Sequence, residues 1–460
     1  MSLHDHDAPA KDKKAGRVKS GLTIRNKTRD VNRRTQLPPS GGKRKKEIVK
    51  PLPSPYNPGN SKGAAKREGQ RQTTGGAKVR APHFLFTCEC TMSERLVIST
   101  GGGDAPGLNA VIFAVVNAAT RKGWEVYGSK YGYGGFLEKD ELIRLTPDDV
   151  EGILSQGGTI LGTTNKGNPF AKPVENLAGE IQIMDISDKI MRGFLRMGFS
   201  CHIAVGGDGS LEIAHRFAQK GMPVIGVPKT IDNDLEATDR TFGFDTAVST
   251  ATDAIDKLHS TAKSHDRVMV VEVMGRDSGW IALYSGIAGG ADVILIPEIP
   301  FDMEAVCNKI AENELHEKHY SIVVVAEGAR AEGQEVINKG KGEMGRSEMV
   351  LGGVGEWVAK EIRQRLGKDT RSLVLGHLQR GGSPTNFDRL LALRFGTAAV
   401  RLAEQQVYDH MVAWVPPNMT AVPIAEAIRK RKKVDLANDK VQTARDIGIC
   451  MGDEYSAPLY

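Results

Sequence analysis

The sequence predicts an α/β fold with mostly parallel sheets, and three observations support this. Short apolar runs of strand length alternate with stretches whose apolar residues recur at helical spacing. Several of these runs end in glycine-rich turns. At 460 residues the chain is also long enough for two domains of ordinary size. The pattern is densest over residues 201–234. There Cys201-His202-Ile203-Ala204-Val205 reads as a buried strand, and Gly206-Gly207-Asp208-Gly209-Ser210 as the turn after it. Leu211, Ile213, Ala214 and Phe217 then mark a helix that Gly221 stops, and a second apolar run over residues 223–227 leads into Pro228-Lys229-Thr230-Ile231-Asp232-Asn233-Asp234. Parallel sheets bind ligands where such turns leave the carboxyl ends of the strands. Glycines let backbone amides approach phosphate oxygens, and a helix start adds partial positive charge. Carboxylates repel phosphate unless a metal lies between them or they take a proton from a hydroxyl. Glycine turns combined with carboxylates therefore point to phosphoryl transfer.

The first 91 residues differ in kind from the rest. They hold 21 Lys and Arg against 7 Asp and Glu, a net of +14, which leaves the remainder with 41 basic and 49 acidic residues, a net of −8. The segment is rich in Lys, Arg, Gly, Pro, Ser, Thr and Asn, a composition that buries too little surface to offset its ordering entropy and predicts disorder. Up to residue 80 its one aromatic is Tyr56, so a nucleic-acid arm lacks a stacking platform. Asp5 and Asp7 argue against a transit peptide. The expectation is a basic extension over residues 1–91, with Met92 as a natural beginning and a catalytic region over 92–460. Five cysteines in a chain of this length form no disulfide framework and suit a reducing compartment, the cytoplasm. Cys88 and Cys90 are too closely spaced, and lack the partners, for zinc. No apolar run approaches the roughly 18 residues of a membrane span.

From Leu96 the elements follow in order. Leu96-Val97-Ile98-Ser99 is a strand, residues 100–109 are a turn containing Gly101-Gly102-Gly103-Asp104, and residues 110–122 are a helix. The turn matches neither the dinucleotide fingerprint nor the P-loop. Residues 130–136 read as a loop, and those up to Ile153 largely as a helix. Residues 156–166 form a Gly/Thr-rich turn whose single cation, Lys166, faces a phosphate or solvent. Residues 181–197 read as one helix and 244–262 as another. Strands over 268–273, 293–297 and 321–326 deliver Met274-Gly275-Arg276 and Glu327 at their ends. Arg371, His377 and Arg380 lie within one short run, which suits an anionic ligand or a solvated face. Residues 422–460 read as charged and helical, without a site.

Gly-Gly-Asp-Ala-Pro-Gly-x-Asn, Gly-Gly-Asp-Gly-Ser, Thr-Ile-Asp-Asn-Asp, Met-Gly-Arg and Gly-His-x-Gln-Arg-Gly-Gly-Ser-Pro occur in this order, and in this the chain resembles the 6-phosphofructokinases from about Arg95 onward. The resemblance implies two doubly wound α/β domains with the active site in the cleft between them. It implies transfer of a phosphoryl group to the 1-hydroxyl of fructose 6-phosphate, from ATP with Mg²⁺ or from pyrophosphate. Asp232 would be the base, Asp234 its aid in positioning, and Thr230 a contact near the transferred group. Arg276 would stabilise the transferred charge. On the donor side it implies Gly103, Gly207, Asp208 as the Mg²⁺ carboxylate, Gly209, Ser210, Lys166 and Lys229. On the sugar side it implies Met274, Gly275 and Glu327, with His377, Arg380, Arg267 and Arg371 at the 6-phosphate. The last two would come from a neighbouring subunit, hence a homodimer or homotetramer.

The chain departs from the family pattern at several positions. Lys229 is typical of the pyrophosphate-using branch, whereas Gly209 leaves room for the α-phosphate of ATP where that branch carries Asp. The combination resembles a mixed-substrate group. Asn165 and Ile213 replace an arginine and a glycine of many ATP-using relatives, and Phe113 and Asn117 replace bacterial effector-site arginines. Two other classes compete. Nucleic-acid binding would rest on the basic extension alone. Kinases of NAD or of lipids share a Gly-Gly-Asp-Gly turn but lack the Thr-Ile-Asp-Asn-Asp and Gly-His-x-Gln-Arg pairing.

Overall fold

The computed structural model describes residues 94–164, 167–175, 179–341 and 349–453, with backbone alone for 338–341 and 349–350. The basic extension, Cys88, Cys90, Met92, Asn165 and Lys166 lie outside the described residues.

The first sheet begins with β1 (Arg95–Thr100), which is followed by α1 (Leu108–Thr120), β2 (Glu125–Ser129) and β3 (Leu142–Leu145). A small ribbon of β4 (Lys172–Glu175) and β5 (Ile181–Met184) precedes α2 (Ser187–Arg196). Then come β6 (Cys201–Gly206), α3 (Asp208–Gln219) and β7 (Val224–Pro228). A second sheet follows the long α4 (Phe244–Ser264): β8 (Val268–Val273), α5 (Trp280–Ala288), β9 (Val293–Leu295), α6 (Met303–Leu315) and β10 (Ser321–Ala326). After a hairpin of β11 (Asn338–Lys341) and β12 (Met349–Leu351) come α7 (Val354–Leu366) and β13 (Thr370–Val374). The chain then returns to the first sheet through α8 (Asn386–Glu404), β14 (His410–Val415) and β15 (Asn418–Pro423), ending in α9 (Ile424–Ala427) and α10 (Asp439–Asp446).

The first sheet has the order β15-β14-β7-β6-β1-β2-β3, with antiparallel pairs only at its two edges, and the second is the all-parallel β13-β8-β10-β9. Each sheet is covered on both faces, as parallel strands require. On one face of the first sheet α1 and α8 pack together, closely enough that a Cβ at Gly396 would lie 2.7 Å from that of Ala114. On the other, Phe136, Phe194 and Phe217 are fully buried beneath α2 and α3. Truncating Phe217 to Ala would cost about 3–5 kcal/mol by cavity formation. In the second sheet α4 and α5 cover one face, and α6 and α7 the other. No helix among the described residues is long and apolar enough to cross a membrane.

Three expectations need correction. The helix expected up to Ile153 is replaced by short 3-10 turns and β3, whose Leu-Ile-Arg-Leu pairs antiparallel with β2. Thr146-Pro147 then ends the strand; Thr146 donates its N–H and its hydroxyl to Asp149 and closes a turn. The single helix expected over 181–197 splits, because Ile181, Ile183 and Met184 stay exposed and pair with β4. The helix begins only at Ser187, whose N–H the Asp185 carboxylate accepts at 2.8 Å. The tail expected to be helical starts on β15 and holds one four-residue and one eight-residue helix, joined by an extended stretch.

Candidate active site

Strand register assembles the site. β1 pairs with β6 from Leu96↔Cys201 to Thr100↔Val205, and β6 with β7 up to Gly206↔Pro228. Their carboxyl ends therefore lie level, setting Gly101–Gly103, Gly207–Ser210 and Lys229–Asp234 side by side. In the second sheet Val273 is level with Ala326, and Glu272 with Val374. Met274–Arg276, Glu327 and the turn carrying His377 and Arg380 form a second row.

The glycine turn after β1 is fixed by backbone bonds. Gly101 N–H donates to Val205 O at 2.9 Å, and Gly102 N–H to Thr164 O at 3.1 Å. A Cβ on Gly103 would lie 2.4 Å from Arg380 Nη1, so a side chain there would push the guanidinium aside. Arg380 also donates to Asp104 O at 3.0 Å, which joins the second row to the first. Gly207 caps α3, Asp208 opens it, and Ser210 Oγ packs beneath Gly101. No atom lies within 4 Å of where a Gly209 Cβ would be. Lys229 is buried, and its Nζ donates to Gly103 O at 2.5 Å. Burial, with Arg380 adding to it, pushes its pKa down to about 8.

The Thr-Ile-Asp-Asn-Asp loop is held rigidly. Thr230 Oγ1 accepts from Asp232 N–H at 3.1 Å, Thr241 donates to Thr230 O at 2.7 Å, and Ser278 donates to Asp232 O at 3.1 Å. Asn233 takes a left-handed φ of 51° while its side chain accepts from Thr241 N–H. This presents Asp232 with Oδ1 buried and without a hydrogen-bond partner. A buried carboxylate oxygen in that state costs free energy unless a ligand or proton meets it. Burial raises the Asp232 pKa, Arg380 opposes the rise, and Glu327 adds to it. Asp234 is pushed up to about 7 by burial and then by Asp232 and Asp208. Glu327 is raised by burial and by Glu272.

Among the residues expected on the sugar side, Met274 N–H donates to Gln379 Oε1 at 3.4 Å, and Gly275 has a φ of 137° that a side chain would strain. Gly328 N–H donates to Gly275 O at 3.1 Å, tying the Met-Gly-Arg turn to Glu327. Arg276 Nε lies 3.7 Å from Asp277 Oδ2. His377 is exposed beside Arg380 on its 3-10 turn. Arg267 and Arg371 are elsewhere. They pair with Asp369, at 2.6 and 3.2 Å, at the opposite end of β8 and β13. Arg267 and Met274 flank β8 seven steps apart, about 23 Å at roughly 3.3 Å per residue. One chain therefore does not bring these two arginines to the other sugar-side residues.

Two side chains at the site were missed from sequence. Arg431 donates to Asp208 Oδ2 through Nη2 at 2.8 Å and Nε at 3.0 Å, and its Nη1 also pairs with Asp277. Lys432 reaches Asn233, Thr238 and Asp239. The available signal was Arg429-Lys430-Arg431-Lys432-Lys433, five consecutive cations in an otherwise acidic body. Among the described residues no three His, Cys, Asp or Glu converge on a metal position. The Asp208 carboxylate, half-exposed and already facing a cation, fits one shared with donor phosphates and water, the usual manner of Mg²⁺.

A sequence model of the phosphofructokinase family matches residues 95–403. The chain is 50% identical over 361 residues to a protein of Chloroflexus aggregans named ATP-dependent 6-phosphofructokinase, covering 78% of this chain and 98% of that one. It is 48% identical to ATP-dependent 6-phosphofructokinase 1 of Synechocystis, covering 78% and 99%. Among solved structures, Pichia pastoris phosphofructokinase in the T-state matches with a TM-score of 0.63 and 30% identity, over 77% of this chain and 37% of that one. A pyrophosphate-dependent phosphofructokinase of Marinobacter aquaeolei, 24% identical, shares the fold with a TM-score of 0.64 over 80% and 94%. The chain belongs to the phosphofructokinase family.

Proposed function

We propose that this chain phosphorylates fructose 6-phosphate at its 1-hydroxyl with ATP and Mg²⁺, giving fructose 1,6-bisphosphate in glycolysis. The observation that carries the reading is Asp232, a buried carboxylate with an unpartnered oxygen between the two rows of turns. Its raised pKa brings it nearer the range in which a carboxylate accepts a proton efficiently near neutrality. Asp232 takes the hydroxyl proton as the oxygen attacks the terminal phosphorus, while Asp234 and the Thr230 hydroxyl hold the loop and the transferred group. The Gly103 amide and Arg276 meet the charge on the transferred oxygens. A Mg²⁺ held by Asp208 together with the donor would neutralise phosphate charge. Met274, Gly275 and Glu327 receive the sugar, and His377 and Arg380 its 6-phosphate.

ATP is favoured over pyrophosphate by the open space at Gly209, by the engagement of Lys229 with the Gly103 carbonyl, and by the named activity of the relatives. Gly207 and Ser210 complete that donor turn. The reading extends to a homodimer or homotetramer. Arg267 and Arg371 sit far from their own site, and Leu373 and Val374 on the edge strand β13, with Leu378 beyond it, are exposed. A second copy would cover that apolar edge and bring two further cations to a sugar phosphate. The buried thiols of Cys201, Cys307 and Cys450 fit a reducing cytoplasm. Incubation with fructose 6-phosphate, ATP and Mg²⁺, followed by ³¹P NMR of the products, tests the reading. A new phosphate monoester at carbon 1 is expected; phosphate placed elsewhere, or none transferred, contradicts it.

A further inference from the structure

The Arg431 contacts join three elements that the chain keeps far apart in sequence. Asp208 opens α3 at the first sheet, Asp277 lies in the turn after β8 of the second, and Arg431 comes from the extended stretch between α9 and α10. The backbone beneath Arg431 is pinned. Arg431 bridges Leu235, Lys432 N–H donates to Asp234 O at 2.7 Å, and Trp280 Nε1 donates to Lys432 O at 3.0 Å. Two residues on, Val434 N–H donates to Glu298 Oε1 at 2.8 Å. The guanidinium lies on the two carboxylates, and the three side chains are each between 35% and 39% exposed. It occupies Asp208 as a cation would, through two of its nitrogens on one oxygen.

We infer that Arg431 is a built-in counter-ion that competes with the divalent metal for Asp208, and that Asp277 is the second partner on which it rests when the metal takes its place. This rests on reading Asp208 as the metal-facing carboxylate. A carboxylate oxygen with two N–H groups directed at it must lose them before it can bind a hard cation. With its backbone pinned, Arg431 need only turn its side chain, and Asp277 keeps its charge paired after it leaves Asp208. Arg431 is thus a positioning residue. It keeps the acidic rim of the donor site neutralised between turnovers and sets how much metal is needed to load it.

The test is a Mn²⁺ titration of the whole purified chain without nucleotide or sugar, followed by water-proton relaxation, with thermal melting as the check on folding. R431A should bind Mn²⁺ about fivefold more tightly than wild type, the change that about 1 kcal/mol for a half-exposed ion pair represents. R431K, which keeps the charge but loses the fork, should fall between them. D277N should move the other way, binding Mn²⁺ about twofold to threefold more weakly, because the guanidinium then has Asp208 as its remaining carboxylate of the pair. In the R431A background D277N should have no effect. Unchanged or weaker Mn²⁺ binding in a normally melting R431A would overturn the inference. Should R431A melt far below wild type, D277N decides alone, and equal or tighter binding there overturns it. An effect of D277N that persists in R431A would overturn the role given to Asp277. Failure of Mn²⁺ to bind any of these proteins would overturn the metal reading of Asp208 itself.

Discussion

The two rows of turns that face each other differ in how far one chain completes them. On the first sheet's row, two donor-side charges are already partnered, Lys229 on the Gly103 carbonyl and Asp208 on Arg431. The row on the second sheet places Arg276 and Arg380 at the site but leaves Arg267 and Arg371 on Asp369 at the far end of its strands. A sheet sends its carboxyl ends in one direction only. Residues at the amino ends of β8 and β13 cannot fold back to their own site, although they can serve a site on another copy. The proposed donor half is thus a property of the chain, and the proposed sugar-phosphate half a property of the proposed assembly.

The largest effect should come from Asp232, which both halves share. Asp232→Asn should lower turnover by about 100- to 10,000-fold, the usual share of a general base, while fructose 6-phosphate binding by calorimetry stays near wild type. Near-normal turnover would remove Asp232 from the role. Arg371→Ala should raise KM for fructose 6-phosphate by about tenfold to a hundredfold, as loss of a charge-assisted phosphate contact does, with kcat much less affected. Mixing this variant with Asp232→Asn under exchanging conditions should restore activity above either alone. Simple averaging of the two would mean that the arginine serves its own chain, and the contrast between the halves would fall.

Gly209→Asp bears on the donor half alone. The space beside Gly209 admits the side chain, so the fold should be unchanged and the effect electrostatic. A like-charge pair at about 4 Å costs roughly 1 kcal/mol in water and roughly 4 at an effective dielectric near 20. Because Gly209 is exposed, ATP affinity should fall by about tenfold to a hundredfold, with pyrophosphate use equal or better. Equal losses for both donors would show that the carboxylate does not face the α-phosphate.

The remaining expected effect is on stability rather than on turnover or affinity. Asp234 titrates near 7 in the fold against an ordinary 3.8. Between those values the folded chain holds a proton that the unfolded chain has lost, so stability falls as pH rises from about 4 to about 7. Asp234→Asn removes that fall, and at pH 7 the variant should be more stable than wild type by about 4 kcal/mol at most, from about 1.4 kcal/mol for each pH unit crossed. Melting curves that run parallel across the window would contradict the raised value.

How much the sequence revealed follows the same division. The strand-turn-helix units at residues 96–120 and 201–234 were legible because apolar runs and glycine turns are local signals, and register alone then set the turns side by side. Residues 181–197 misled because Ile181, Ile183 and Met184 fit a helical stripe although they are exposed on a two-stranded ribbon. Arg431 was illegible for another reason. Its partners lie 223 and 154 positions away, and a run of five cations looks the same whether solvated or aimed at carboxylates. The expected roles of Asn165 and Lys166 lie outside the described residues.

The central claim is that the open donor half, with glycine at 209, takes ATP. Its most direct test is kcat/KM for ATP and for pyrophosphate, measured separately on the same purified protein at saturating fructose 6-phosphate and Mg²⁺. ATP should be preferred by at least about tenfold, in line with one like-charge interaction avoided. A preference for pyrophosphate of similar size would contradict it, and would make Lys229 rather than Gly209 the residue that selects the donor.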